Sequence, residues 1–229
     1  MIDFYYWPTP NGWKVSILLE ELAIPYRLHV LNITKGEQFA PAFLKISPNN
    51  RMPAIVDHDV DGEPLTVFES GAIMWHLAEK TRRFLPADPV GRKEVMEWLF
   101  WQTGNQGPMA GQHSHFHNYA PDDVRRQGYA FERYRNETYR NIGVLERRLE
   151  GRDWIVGDGY TIADMICWPW VLISKAVGMP LDDYPNVTAW RARVKERPAV
   201  QRGVALAKED RPPQKPHAPE AAKILFQQK

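Results

Sequence analysis

The chain has 229 residues, 44% hydrophobic and 25% charged, with a net charge of +1 at neutral pH. That length fits one large domain or two ordinary ones, and 29 basic against 28 acidic residues give no footing for nucleic acid or a membrane surface as the main partner. No apolar run reaches the roughly 20 residues that span a bilayer, and the N-terminus has no signal-peptide pattern, so a soluble cytoplasmic protein is expected.

Met1 to Trp7 is rich in β-formers, with Ile2, Phe4 and Tyr6 on one side of the alternation. Pro8-Thr9-Pro10-Asn11-Gly12 reads as a dense turn. A helical stripe of Val15, Leu18, Leu19 and Leu22 follows, ended by Ile24-Pro25, and Tyr26 to Ile33 reads as a second strand. Strand, helix and strand make a βαβ unit. Lys35 to Ile46 is weakly helical or irregular. Met52-Pro53 precedes a short apolar run, and Asp61-Gly62 sets a hairpin between it and the next run. Glu69-Ser70 then opens a helix, whose start attracts anions. With a carboxylate and a hydroxyl side by side, that start suits a small zwitterionic ligand such as a peptide.

This first unit ends near Phe84. Beyond Pro86-Ala87-Asp88-Pro89 the strand signals nearly vanish. Glu94 to Asn118 reads as helical with an interruption at Gly104 to Pro108, and Asp122 to Glu150 as one long helix. Thr161 and Asp164 form a capping-box pattern at the start of a helix that Pro169 should bend. Val187 to Arg197 gives another helix, and from Asp210 the chain turns proline-rich, reading as a tail packed on the surface or partly disordered. The expected division is 1–84 for an α/β domain, 85–92 for a linker, 93–209 for an all-helical domain and 210–229 for the tail.

The single cysteine, Cys167, excludes an internal disulfide and a multi-cysteine metal site. Within the apolar run ADMICWPW it reads as a buried, inert thiol. Any thiol–disulfide chemistry must therefore draw its sulfurs from a ligand. His113, His115 and His117 lack a nearby acidic or cysteine partner in sequence, so no metal site is assigned and they read as histidines at a cleft mouth or in solvent.

In this order, the motifs resemble the cytosolic glutathione transferase superfamily over nearly the whole chain except the tail. PTPNGWK (8–14), ISPNNRMPAI (46–55), FESGAI (68–73), WLFWQ (98–102) and GPMAGQ (107–112) are similar more narrowly to the bacterial nu class, relatives of the yeast nitrogen regulator that forms prions. The resemblance implies a thioredoxin-like N-terminal domain, a helical C-terminal domain, a homodimer and a glutathione site. It implies a cis Met52-Pro53 bond, although only about 5% of X–Pro bonds are cis. The Met52 backbone would then pair with the cysteinyl part of glutathione as an added strand. Glu69 and Ser70 would take the γ-glutamyl end, Gln38 the glycyl end, and Arg133 would reach a glutathione from its own or the partner subunit.

The resemblance also implies that Thr9 and Asn11, after the first strand, stabilise the glutathione thiolate. Lowering a thiol by one pKa unit takes about 1.4 kcal/mol, and a hydrogen bond to a charged group supplies about 1.5–3 kcal/mol. Tyr6 is the competing donor. The residues alone leave Pro-Thr-Pro-Asn-Gly open as a plain turn. The activity expected is glutathione-dependent reduction of small disulfides, with organic hydroperoxides as further substrates and reduced or oxidised glutathione as cosubstrate. Conjugation of glutathione to electrophiles, and a non-catalytic binding or dimerisation module, are the alternatives.

Overall fold

The computed structural model describes residues 1–211, 215 and 217–226. Strand β1 (Ile2–Tyr6) is an inner strand, paired on both edges, and on one face its Ile2, Phe4 and Tyr6 are at most 2% exposed. On one side β2 (Tyr26–Val30) runs parallel to it, with Ile2 opposite Tyr26. On the other, β3 (Ala54–Asp57) is antiparallel, and β4 (Leu65–Phe68) pairs antiparallel with β3, giving the order β2-β1-β3-β4. Parallel neighbours need a crossover, which α1 (Pro10–Leu22) provides with Val15, Leu18 and Leu19 fully buried.

The helix expected from Trp13 starts three residues earlier, at Pro10, because Thr9 is its N-cap. Proline at the first helical position forfeits only an N–H that would have no partner there. Two 3₁₀ turns, Ile33–Lys35 and Glu37–Phe39, and the single-turn α2 (Pro41–Leu44) fill the irregular stretch. After the hairpin, α3 (Ser70–Thr81) buries Ile73, Met74 and Leu77 at helical spacing. The thioredoxin-like order is complete.

The chain divides into two compact units. One comprises Met1–Leu77 with 199–211 and 217–226, and the other is Ala78–Pro198 with residue 215. In the helical unit, α4 (Pro89–Trp101) starts earlier than Glu94, capped by the Asp88 carboxylate accepting from Gly91 N–H at 2.8 Å. The expected break before Pro108 is instead a π-helical turn, Gln102–Gln106, leading straight into α5 (Gly107–Ser114). Proline cannot donate to the carbonyl four residues back, and the wider turn, with Gly107 N–H bonding Gln102 O, absorbs the register shift. A second π turn, His115–Tyr119, follows.

Helix α6 (Gly128–Arg148) begins later than Asp122, since Arg126 and Gly128 adopt left-handed φ of 58° and 78°. Helix α7 (Ile162–Leu172) has the expected capping box and contains Pro169 without interruption. The Glu146 carboxylate accepts from the Asn186 and Val187 N–H groups at the start of α8 (Pro185–Lys195), at 3.1 and 2.9 Å.

Helix α9 (Pro198–Ala205) belongs from Ala199 onward to the sheet unit. It lies backbone to backbone on α1: a Cβ on Gly203 would stand 2.8 Å from the Ile17 backbone, and Ser16 Oγ donates to Gly203 O at 2.8 Å. Arg202 pairs with Glu20, and the Arg211 guanidinium sits over the Trp13 ring at 4.8 Å. Within the expected tail, α10 (Pro219–Phe226) rests on the Ile33–Lys35 turn. Residues 212–214, 216 and 227–229 of that tail lie outside the described residues. No described helix is long and apolar enough to cross a membrane.

Candidate active site

Strand register gathers one set of side chains at one end of the sheet. Tyr5 lies opposite Ala54, and Ala54 opposite Phe68, so the end of β1, the start of β3 and the end of β4 are neighbours. Tyr6 pairs with Val30, which brings the end of β2 to the same edge. The segments leaving these strand ends carry Thr9 and Asn11, Gln38, Met52-Pro53, and Glu69-Ser70. The sequence-level candidates of the first unit therefore share an edge although they span more than 60 positions.

Thr9 caps α1. Its Oγ accepts from the Gly12 N–H and donates to the Trp7 carbonyl, both at 3.5 Å, the outer limit for such bonds. The hydroxyl proton is thus weakly held and available to a better acceptor. Gly12 is required here: a Cβ would lie 2.3 Å from Trp7 O and 2.8 Å from the Tyr6 ring. Asn11 is half-buried in the first turn. Tyr6, the competing donor, is fully buried, and its hydroxyl donates to Leu206 O at 3.2 Å.

The Met52-Pro53 bond is cis, and Met52 stands outside the ladder, two residues before β3 begins. Glu69, exposed and with a left-handed φ of 70°, has its Oε1 3.4 Å from Asn49 Nδ2. Such a backbone is costly for a side chain other than glycine and collects at functional positions. Ser70, 6% exposed, starts α3, and its Oγ accepts from Lys14 Nζ at 3.3 Å. Gln38 is 3% exposed, and its Oε1 has no partner among the described residues. An edge backbone, an acid beside a hydroxyl at a helix start, and a buried carboxamide can together hold an extended zwitterionic peptide.

Comparison with known proteins settles the family. Residues 9–80 match the glutathione S-transferase N-terminal domain and residues 116–198 the glutathione S-transferase C-terminal domain. A relative in Escherichia coli K12, the disulfide-bond oxidoreductase YfcG, is 50% identical over 210 residues, which cover 91% of this chain and 95% of that protein. This chain belongs to the glutathione S-transferase family.

The transferase also resembles solved relatives. A Burkholderia graminis glutathione transferase with two glutathione molecules bound per subunit is 43% identical, with a TM-score of 0.85 and coverage of 90% of this chain and 88% of that one. A Pseudomonas putida transferase with one glutathione disulfide per subunit is 40% identical, with a TM-score of 0.82 and coverage of 90% and 91%.

Arg133 sits on α6 of the transferase's helical unit, half-exposed and paired with Glu137 at 2.8 Å. Among the three histidines, His113 differs from expectation. His113 is fully buried, its Nε2 2.8 Å from Val177 O and its ring 5.7 Å from that of His117, because Gly178 leaves room for the His117 ring. Burial lowers the His113 pKa, which keeps it neutral. Among the described residues no group of three His, Cys, Asp or Glu is placed for a metal. The residue that sequence reasoning passed over is Lys14. Its signal was a lysine inside the apolar run of α1, flanked by Trp13 and Val15.

Proposed function

We propose that this transferase is a glutathione-dependent disulfide-bond oxidoreductase of the nu class. The burial of Cys167 carries the reading: the sole cysteine is 0% exposed within α7, out of reach of any substrate. A chain half identical to a disulfide-bond oxidoreductase, yet with no thiol of its own to offer, takes both redox sulfurs from glutathione. Two glutathiones in one subunit of the Burkholderia relative, and a glutathione disulfide in the Pseudomonas one, fit such a site.

In this reading one glutathione thiolate attacks a sulfur of the substrate disulfide, and half of the substrate leaves as a thiol after taking a proton. A second glutathione thiolate attacks the glutathione sulfur of the mixed disulfide. Two glutathiones and one disulfide become glutathione disulfide and two substrate thiols. The Thr9 hydroxyl and the Asn11 amide donate to the attacking sulfur. Met52 pairs with the cysteinyl backbone, Glu69 takes the γ-glutamyl ammonium, Ser70 its carboxylate, and Gln38 the glycyl end. Arg133, if it serves a glutathione carboxylate, shares its guanidinium with Glu137. The same thiolate serves organic hydroperoxides. Met96 and Phe100, four apart on α4 and 40% and 71% exposed, suit a homodimer.

The test compares glutathione-dependent turnover of bis(2-hydroxyethyl) disulfide with conjugation of 1-chloro-2,4-dinitrobenzene. Faster disulfide turnover, with glutathione disulfide as product, is expected. Conjugation alone would move the protein to electrophile chemistry, and glutathione binding with neither reaction would make it a binding module.

A further inference from the structure

We infer that Lys14 is a positioning residue of the γ-glutamyl carboxylate subsite: it aims the Ser70 hydroxyl and sets a positive charge behind it. The inference rests on the glutathione reading above. Lys14 lies on the buried side of α1, 2% exposed, with Nζ 3.3 Å from Ser70 Oγ. An ammonium has three donors and no acceptor, so in this pair Ser70 accepts. Its own proton is then directed elsewhere, and the group that can use a donor at a helix start is an anion.

Ser70 is the first residue of α3, where the helix dipole and the unpaired N–H groups already favour negative charge. The Lys14 charge adds a field of the same sign from a site where water screens little. The Lys14–Ser70 hydrogen bond at 3.3 Å puts that charge one side chain away from a carboxylate arriving at the helix start. The lysine therefore makes the subsite select a carboxylate over a neutral group of the same shape, acting through Ser70 without touching the ligand.

Calorimetric titration of the full chain tests this with two ligands: glutathione, and the analogue whose γ-glutamyl α-carboxylate is an amide. The wild type is expected to bind glutathione at least about tenfold tighter than the amide, the discrimination typical of one charged hydrogen bond. Lys14→Met should weaken glutathione by about tenfold or more while leaving the amide within about threefold, erasing the preference. Lys14→Arg, which keeps the charge, should restore most of it. Equal loss for both ligands in Lys14→Met, or no preference in the wild type, overturns the inference and leaves glutathione binding standing. Failure of the wild type to bind either ligand overturns the glutathione reading itself. If a thermal melt shows Lys14→Met unfolded, Lys14→Gln, which keeps a donor without the charge, carries the same comparison.

Discussion

The Tyr6 hydroxyl donates to the carbonyl of Leu206, 200 positions along the chain, at 3.2 Å. Burial raises its pKa well above the ordinary phenol value, so the group is a fixed neutral donor inside the sheet unit. Thr9, in contrast, holds its proton toward Trp7 O only at 3.5 Å. Tyr6→Phe should therefore change disulfide turnover by less than about twofold and cost about 1 kcal/mol of stability, the worth of one hydrogen bond. Thr9→Ala should lower turnover by about tenfold or more, since a bond to a thiolate is a charged one. Steady-state kinetics on both variants check the ranking, and the reverse order would return the donor role to Tyr6.

Gly12 stands where α1 touches the end of β1. The methyl of Gly12→Ala would have to displace the Trp7 carbonyl, 2.3 Å away, and the Tyr6 ring. Backbone cannot yield as a side-chain tip does, so about 1–3 kcal/mol of destabilisation is expected, as for other overpacked sites. The shift falls on the turn that carries Thr9 and Asn11. Turnover at saturating glutathione should then fall further than the folded fraction does. Urea unfolding beside kinetics separates the two, and equal losses would show that the turn keeps its geometry.

Asp164 gives the pH dependence of stability a definite sign. Burial raises its carboxyl from 3.8 to about 6, against the donors from Ile155, Thr161 and Trp190. The folded chain thus holds a proton that the unfolded chain has released between about pH 4 and 6. Stability from this group falls as pH rises through that window, by on the order of 2–3 kcal/mol, and is level above it. Asp3 acts in the opposite sense. Burial would raise its carboxyl, but hydrogen bonds from His58 and His29 and the charges of His29 and Arg27 outweigh that and hold it below 3.8, so its contribution is lost only in stronger acid. Asp164→Asn should flatten the slope between pH 4 and 6 and lower the plateau, because its amide N–H₂ cannot accept from Thr161. Urea midpoints from pH 4 to 8 in both proteins test this, and an unchanged slope in the variant would assign it elsewhere.

The sequence made the thioredoxin-like order, the hairpin at Gly62 and the Thr161–Asp164 cap legible, because each is written in local periodicity or in a short-range hydrogen bond. It misplaced the start of α1, where Pro8, Pro10 and Gly12 masked the cap that Thr9 makes. Gly104 to Pro108 read as a break because proline opposes an α-helix, while a π turn keeps the helix running. Contacts distant in sequence left no local trace. Gly203 against Ile17, Lys14 against Ser70 and Glu146 at the start of α8 depend on three-dimensional closure. The cis bond at Pro53 and the grouping of Thr9, Gln38, Met52, Glu69 and Ser70 were expected from family resemblance rather than from periodicity.

Cys167 offers the sharpest test of where the redox sulfur comes from. It sits between Ile166 and Trp168 in α7, and all three are at most 1% exposed. If glutathione supplies both sulfurs, Cys167→Ala should reduce small disulfides at a rate within about twofold of the wild type while losing about 1–2 kcal/mol of stability from the vacated volume. Pre-treating the wild-type protein with iodoacetamide, then removing the reagent before glutathione is added, should leave turnover intact for the same reason. A thioredoxin-type enzyme would lose activity in both experiments, because its own thiolate attacks the substrate. Loss of turnover in a folded Cys167→Ala protein, established by its thermal melt, would mean that α7 opens to let the thiol react.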